Sequence, residues 1–343
     1  MMTPTPAEPS HDGAVSNTET APVEVQCAPG RAAPEVEVLT PRAVPLGGPR
    51  AMTVRRTLPQ RQRSLVGAWC FVDHYGPDDT SATGGMDVPP HPHTGLATVS
   101  WLFTGEVEHR DSLGVHAIVR PGELNLMTGG HGVAHSEVST PDTTVLHGVQ
   151  LWVALPDGAR DAPRDFAHHV PPPTDLGGAT ARVFLGELGG ERSPVLTPTP
   201  LLGAELFLEP GARTTLTVDP TFEHALLVDR GRVALQGRPL EPGELGVVDP
   251  GRRTLEITDT GDEPARLVLL GGPPFGEQIV MWWNFVGRSH DEIVAFREAW
   301  EAGSERFGEV EGYVGRDGRR GAAARLPAPA LPHATIRPRG NPR

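Results

Sequence analysis

The tetrapeptide Pro121-Gly122-Glu123-Leu124 recurs as Pro242-Gly243-Glu244-Leu245, and Gly105-Glu106-Val107 has a looser counterpart in Gly231-Arg232-Val233. Matched turns in the two halves of a 343-residue chain point to an internal duplication, each copy long enough to bury its own core. Composition says what was duplicated. With 41 Gly and 37 Pro against 5% aromatic residues, the chain is supplied for turns and short strands rather than long helices. The fold class read from this is all-β: two facing β-barrels in tandem, followed by a short C-terminal helix.

Punctuation by turn residues divides the chain further. Residues 1–50 are rich in Pro, Thr, Ala and Glu without apolar period and are expected to be a disordered leader. The first barrel is expected over 51–155, with strand candidates at 97–103, 117–119, 124–127 and 149–155. A linker at 156–178 carries Pro171-Pro172-Pro173, and the second barrel follows over 179–288. Ser289-His290-Asp291-Glu292 reads as a capping box that opens a helix over 289–308, with Ile293, Phe296 and Trp300 as its packing stripe. The tail 309–343 is Pro-rich and basic, and such a segment on an acidic protein is expected to lie across its own surface.

The chemistry is concentrated in the first barrel. His91-Pro92-His93 and His135-Ser136-Glu137 each place two side chains on one face of an extended strand. Two such strands side by side would converge three imidazoles and one carboxylate on one divalent first-row metal, leaving two octahedral positions open. The chain has fourteen histidines, so a single H-x-H string would carry little. The paired spacing and the glycines at Gly95, Gly129, Gly130 and Gly132 favour a metal site. Cys27 and Cys70 are not placed to join it. His131, four residues before His135, is a candidate for a supporting or substrate contact. His109, next to Arg110 and Asp111, reads as a polar residue in a turn, and the pairs His168-His169 and Trp282-Trp283 have ready surface or packing explanations. The second copy lacks H-x-H, and its His224 reads as a satisfied core or rim histidine.

The run Pro90-His91-Pro92-His93-Thr94-Gly95, then Gly105 to Gly114, Pro121-Gly122-Glu123, Met127-Thr128-Gly129 and His135-Ser136-Glu137, resembles the pirin family of the cupin superfamily. The similarity reaches upstream to Val54-Arg55-Arg56-Thr57-Leu58-Pro59 and downstream to Leu151-Trp152-Val153. It implies two cupin (jelly-roll-type) β-barrels in tandem and an iron site at His91, His93, His135 and Glu137. Thr94 stands where many pirins have Arg, and Ala97 where many have Glu, at about the position from which cupins commonly draw a carboxylate ligand.

The resemblance implies two functions. One is a quercetin 2,3-dioxygenase, in which Glu137 both ligates the metal and accepts the substrate's hydroxyl proton, with a flavonol and dioxygen as partners. The metal would be Fe(II), with Mn, Ni or Cu as alternatives. The other is a non-enzymatic, iron-dependent and redox-sensitive regulator that acts through protein partners. Net charge of -13 argues against general nucleic-acid binding. No apolar stretch approaches the roughly 18 residues of a membrane span, and no signal-peptide pattern or disulfide framework is evident. A cytoplasmic protein is expected. No nucleotide loop, G-x-S-x-G elbow or C-x-x-C pattern supports phosphoryl transfer, serine hydrolysis or thiol redox chemistry.

Overall fold

The computed structural model describes residues 35–46, 52–315 and 318–341. Each copy is a pair of facing antiparallel sheets, open at its edges rather than closed into a barrel. In the first copy the large sheet runs, in spatial order, Asp165–His169, Leu124–Thr128, Leu96–Thr104, Val145–Ala154, Trp69–Asp79, Met52–Leu58 and Arg42–Leu46. Its small sheet runs Asp87–His93, Val133–Ser139, Val107–Asp111 and His116–Val119. The second copy repeats the large sheet as Glu37–Leu39, Leu245–Val248, Glu223–Arg230, Ala265–Gly272, Leu202–Leu208, Thr180–Leu185 and Pro173–Asp175. Its small sheet is Arg213–Thr217, Thr254–Asp259, Val233–Leu235 and Arg238–Leu240. Strand for strand the order is the same. The structure is two cupin domains of one topology with a short helix at the C-terminal side, as the turn repeat indicated.

The segments between and around the domains are more ordered than composition suggests. The leader expected over 1–50 lies largely outside the described residues, but its described part is structured. Glu37–Leu39 pairs with Leu245–Val248 of the second copy, and Arg42–Leu46 pairs with Met52–Leu58 of the first. The expected linker likewise supplies edge strands, Asp165–His169 to the first sheet and Pro173–Asp175 to the second. An unpaired sheet edge exposes a row of N–H and C=O groups, and these short segments cover it. The helix spans His290–Glu301, shorter than 289–308, because Gly303 turns into the left-handed region at φ 68°. Ser289 caps it by accepting from the Glu292 N–H at 3.2 Å. Ile293, Phe296 and Trp300 are buried on its inner face. The tail lies across the protein: Trp300 donates to the Leu326 carbonyl at 2.8 Å, and the Leu326 N–H donates to the Pro90 carbonyl at 2.9 Å. Among the described residues no helix is long and apolar enough to cross a membrane.

The two large sheets pack face to face. Ala97, Val99, Trp101 and Phe103 from one domain join a single buried cluster with Phe184, Ala225, Leu227 and Val268 from the other. At one margin of this interface the cluster becomes polar. Asp229 Oδ1 lies 2.7 Å from His74 Nε2 and 2.6 Å from His147 Nε2, while Oδ2 accepts from Arg266 Nε at 2.6 Å. Burial alone would raise the Asp229 carboxyl, but hydrogen bonds from His147 and His74 hold it below the usual carboxylate range. Asp229 and Arg266 belong to the second domain, His74 and His147 to the first. Removing the carboxylate charge would strand two buried imidazoles and the half-buried Arg266 guanidinium at the joint. Asp229→Asn is expected to lower stability by about 3 kcal/mol in urea unfolding, and an unchanged unfolding midpoint would show that this network is dispensable.

Candidate metal centre

The strands Asp87–His93 and Val133–Ser139 run antiparallel, with His135 opposite His91 and Val133 opposite His93. Asp87–His93 is an edge strand of its sheet, which is why it tolerates prolines that cannot donate to a ladder. Strand alternation puts His91 and His93 on the face that His135 also occupies. Ring centroids are 4.3 Å apart for His91 and His135, 4.9 Å for His93 and His135, and 5.0 Å for His91 and His93. All three rings are buried, and a nitrogen from each lies within 4.8 Å of the other two. Gly95 ends the strand at φ 66°, where a Cβ would stand 2.2 Å from the Val286 carbonyl oxygen. Any other residue there would push away the hairpin Val280–Trp282/Phe285–Gly287.

That hairpin matters because it helps to orient the site. Nδ1 of His93 lies 3.2 Å from the carbonyl of Asn284, and Nδ1 of His91 lies 2.9 Å from the carbonyl of Pro89. Nδ1 of His135 lies 3.4 Å from Nδ1 of His109, whose Nε2 is 3.1 Å from Asp111 Oδ2. Asp111 Oδ1 in turn accepts from the Leu113 and Val115 N–H groups at 2.8 and 3.1 Å. One tautomer of each ring satisfies all these contacts: the proton on Nδ1 of His91, His93 and His135, and on Nε2 of His109. Three Nε2 lone pairs then point inward. Those of His93 and His135 are 3.0 Å apart, a separation that two lone pairs accept when a cation lies between them. Burial pushes His91 down to about 4 and His93 and His135 well below the ordinary imidazole value, so the lone pairs are free at neutral pH. The donor set therefore fits a divalent metal.

Glu137 lines the same cavity as His91 and His93. A register shift between His135 and Glu137 bends the strand and re-aims the carboxylate. It stands outside the 4.8 Å group of nitrogens, with Oε1 3.4 Å from the hydroxyl of Ser100. Burial raises the Glu137 carboxyl above its ordinary value. The position of Ala97 has a structural explanation. Its side chain belongs to the core between the two domains, whereas Ser100, on the other face of the same strand, reaches toward Glu137. A carboxylate at 97 would point away from the imidazoles.

The cavity at these imidazoles measures about 530 Å³. Phe71 and Trp152 stack in its wall, 4.0 Å apart and 10° from parallel. The Arg56 guanidinium lies 4.2 Å over the outer face of Phe71, neutralised by a bidentate pair with Asp73, and the Trp152 ring meets His93 edge-on at 5.2 Å. Trp283, Leu326, Pro327 and Pro329 from the C-terminal part of the chain complete the lining. Sequence reasoning passed over Trp283, Asn284 and the tail, because nothing local marks a residue some two hundred positions away as part of a site. It also set His109 aside as a turn residue, although it lies buried behind His135. The structure does not bring His131 to the imidazoles: it is exposed. His168 sits on an edge strand beside Asn125.

His74, His147 and Asp229 form a second group of potential ligands. Arg266 already occupies one oxygen of Asp229, and Arg55 Nη2 lies 3.1 Å from His74 Nε2. Two guanidiniums repel a divalent cation there, so this group is read as a joint between domains.

Comparison with known proteins agrees with the two-domain reading. The family profile described as Pirin matches residues 51–153, and that described as Pirin C-terminal cupin domain matches 203–308. A Pseudomonas aeruginosa protein named "Putative quercetin 2,3-dioxygenase PA1205" is 44% identical over 295 residues, covering 86% of this chain and 90% of its own length. A pirin-like protein of Caulobacter vibrioides is 36% identical over 75% of this chain and 91% of its own. The crystal structure of a quercetin 2,3-dioxygenase from Acinetobacter baumannii superposes with a TM-score of 0.81 at 38% identity, covering 88% of this chain and 97% of that one. With both domains matched and relatives of this identity aligned over most of their length, the chain belongs to the pirin family of the cupin superfamily.

Proposed function

We propose that the protein is a quercetin 2,3-dioxygenase-type enzyme that holds Fe(II) through His91, His93, His135 and Glu137 and cleaves a flavonol with dioxygen. The observation that carries this reading is the convergence of three buried imidazoles, with Glu137 beside them, on a cavity of about 530 Å³ whose lining includes Phe71, Trp152 and Trp283. An aromatic-lined cavity of this size admits a planar polyphenol with its oxygens toward the imidazoles. When bound, the metal supplies Lewis acidity toward a chelating hydroxyl and a redox partner for dioxygen. The protein's own groups do the rest. Glu137, whose carboxyl is raised by burial, receives the hydroxyl proton as the substrate binds. Ser100 engages Gln150 Oε1 at 2.9 Å, which leaves the Gln150 amide N–H groups as the donors on this wall. Trp283, Leu326 and Pro327 limit the water that reaches the ring.

A regulator that works through protein partners would call for a closed site beside an exposed apolar patch. Here the cavity reaches the surface at exposed Pro327 and Pro329. Among the described residues the exposed large apolar side chains, Leu113, Val170, Leu196 and Val314, are far apart in sequence. These features favour the enzyme.

Elemental analysis of protein purified without chelators is expected to find about one divalent metal per chain, and none in the His91→Ala/His135→Ala double variant. Two metals per chain would instead place an ion at Asp229. Glu137→Gln is expected to weaken metal retention and to abolish turnover, so full occupancy with normal activity would remove Glu137 from both roles. Quercetin added to the iron-loaded protein in air should lose its long-wavelength absorption with uptake of oxygen. No loss above the metal-free control with iron, manganese, nickel or copper would favour the regulator.

A further inference from the structure

The second domain is not a solid counterweight to the first. Beside its strand Arg213–Thr217, which corresponds in sheet order to the strand of His91 and His93, lies a cavity of about 710 Å³. Thr217, Val218 and Asp219 line it where the first domain has its histidines, and His224 lines it from the strand Glu223–Arg230. His224 is only 1% exposed, yet neither of its ring nitrogens has a hydrogen-bond partner in the protein. The satisfied histidine expected from the sequence is thus buried but unsatisfied. Thr199, on the loop that also lines this cavity, is in the same state: its hydroxyl is buried and unpartnered. Two orphaned polar groups in the wall of one cavity are unusual in a packed interior and mark where a ligand's polar atoms would sit.

The surroundings restrict what that ligand is. The Asp219 carboxylate is engaged by the Thr221 N–H and hydroxyl, at 2.8 and 2.7 Å, and Arg192 is paired with Glu187. Burial pushes His224 down to about 4, so its ring is neutral and offers one donor and one acceptor. Asp219 thus stays an anion in the cavity lining, held by neutral donors, and disfavours an anionic ligand beside the neutral His224 ring. Leu188, Leu202, Val218 and Phe222 supply apolar walls, with the Phe222 ring 6.0 Å from that of His224.

We infer that the second domain binds an uncharged, largely apolar molecule carrying a hydroxyl, of the phenol type, whose oxygen pairs with His224 while Thr199 meets a further polar atom. This site is independent of the metal centre and of the activity proposed for it. The test is titration of the full chain with 4-propylphenol, and with 4-propylbenzoate as the anionic counterpart, followed by calorimetry and by NMR of nitrogen-labelled histidine. Expected are one phenol per chain, a shift of the His224 nitrogens, and binding weakened about tenfold in His224→Phe and measurably in Thr199→Val. The benzoate should bind at least about tenfold more weakly than the phenol. Binding should persist in the His91→Ala/His135→Ala variant, which separates this cavity from the metal centre. The proposal is overturned if the phenol does not bind at millimolar concentration, if the His224 resonances do not respond, if benzoate binds equally well, or if binding disappears with His91 and His135. Should His224→Phe fail to fold, the wild-type histidine shifts and Thr199→Val decide the matter.

Discussion

The two seven-stranded sheets are buried on both faces, and the rest of the structure depends on that. In the strand Leu96–Thr104 the odd-numbered residues from Ala97 to Phe103 join the core between the domains, while Ser100 faces the site. In Val145–Ala154 the same alternation sends Val149, Leu151 and Val153 to the interface and Gln150 and Trp152 to the cavity. One backbone thus positions an oily joint and the wall of the candidate site at once. A slip of a single residue would exchange the two. The packing of domain on domain is therefore what keeps the cavity face in register.

Much of this could be read from residues alone. The duplication was visible in two matched turns, and the approach of His91, His93 and His135 followed from strand periodicity. Supporting contacts were harder, because they are made by residues without a motif. His109 and Asp111 sit in what reads as a turn, and only the pairing of Val107–Asp111 with Val133–Ser139 places them behind His135. Asn284 contributes a backbone carbonyl, which leaves no trace in residue type. Asp229 meets His74 across the domain interface, a contact set by sheet packing rather than by local pattern. At Ala97 the residue type alone shows that no carboxylate is offered, and the pleat adds that the side chain faces the core between the domains.

The two domains use one frame differently. The interior of the second is almost wholly aliphatic, from Ala181 and Val183 to Leu267 and Leu269. That of the first is divided among smaller apolar clusters around a polar centre. A domain that must present buried imidazoles and a carboxylate forgoes part of its own core. The broad contact with an aliphatic neighbour offsets that loss.

The crossing of strands at the N-terminal side has a consequence for how such a protein can change over time. Glu37–Leu39 completes the sheet of the second domain, and a few residues later Arg42–Leu46 completes that of the first. A chain cut between the domains would leave the second half without its outer strand and expose a sheet edge to self-association. Recombination that shuffled one half into a new partner would meet the same obstacle. The ancestral duplication has become a single unit of inheritance: each half is free to drift in chemistry, but neither is free to leave.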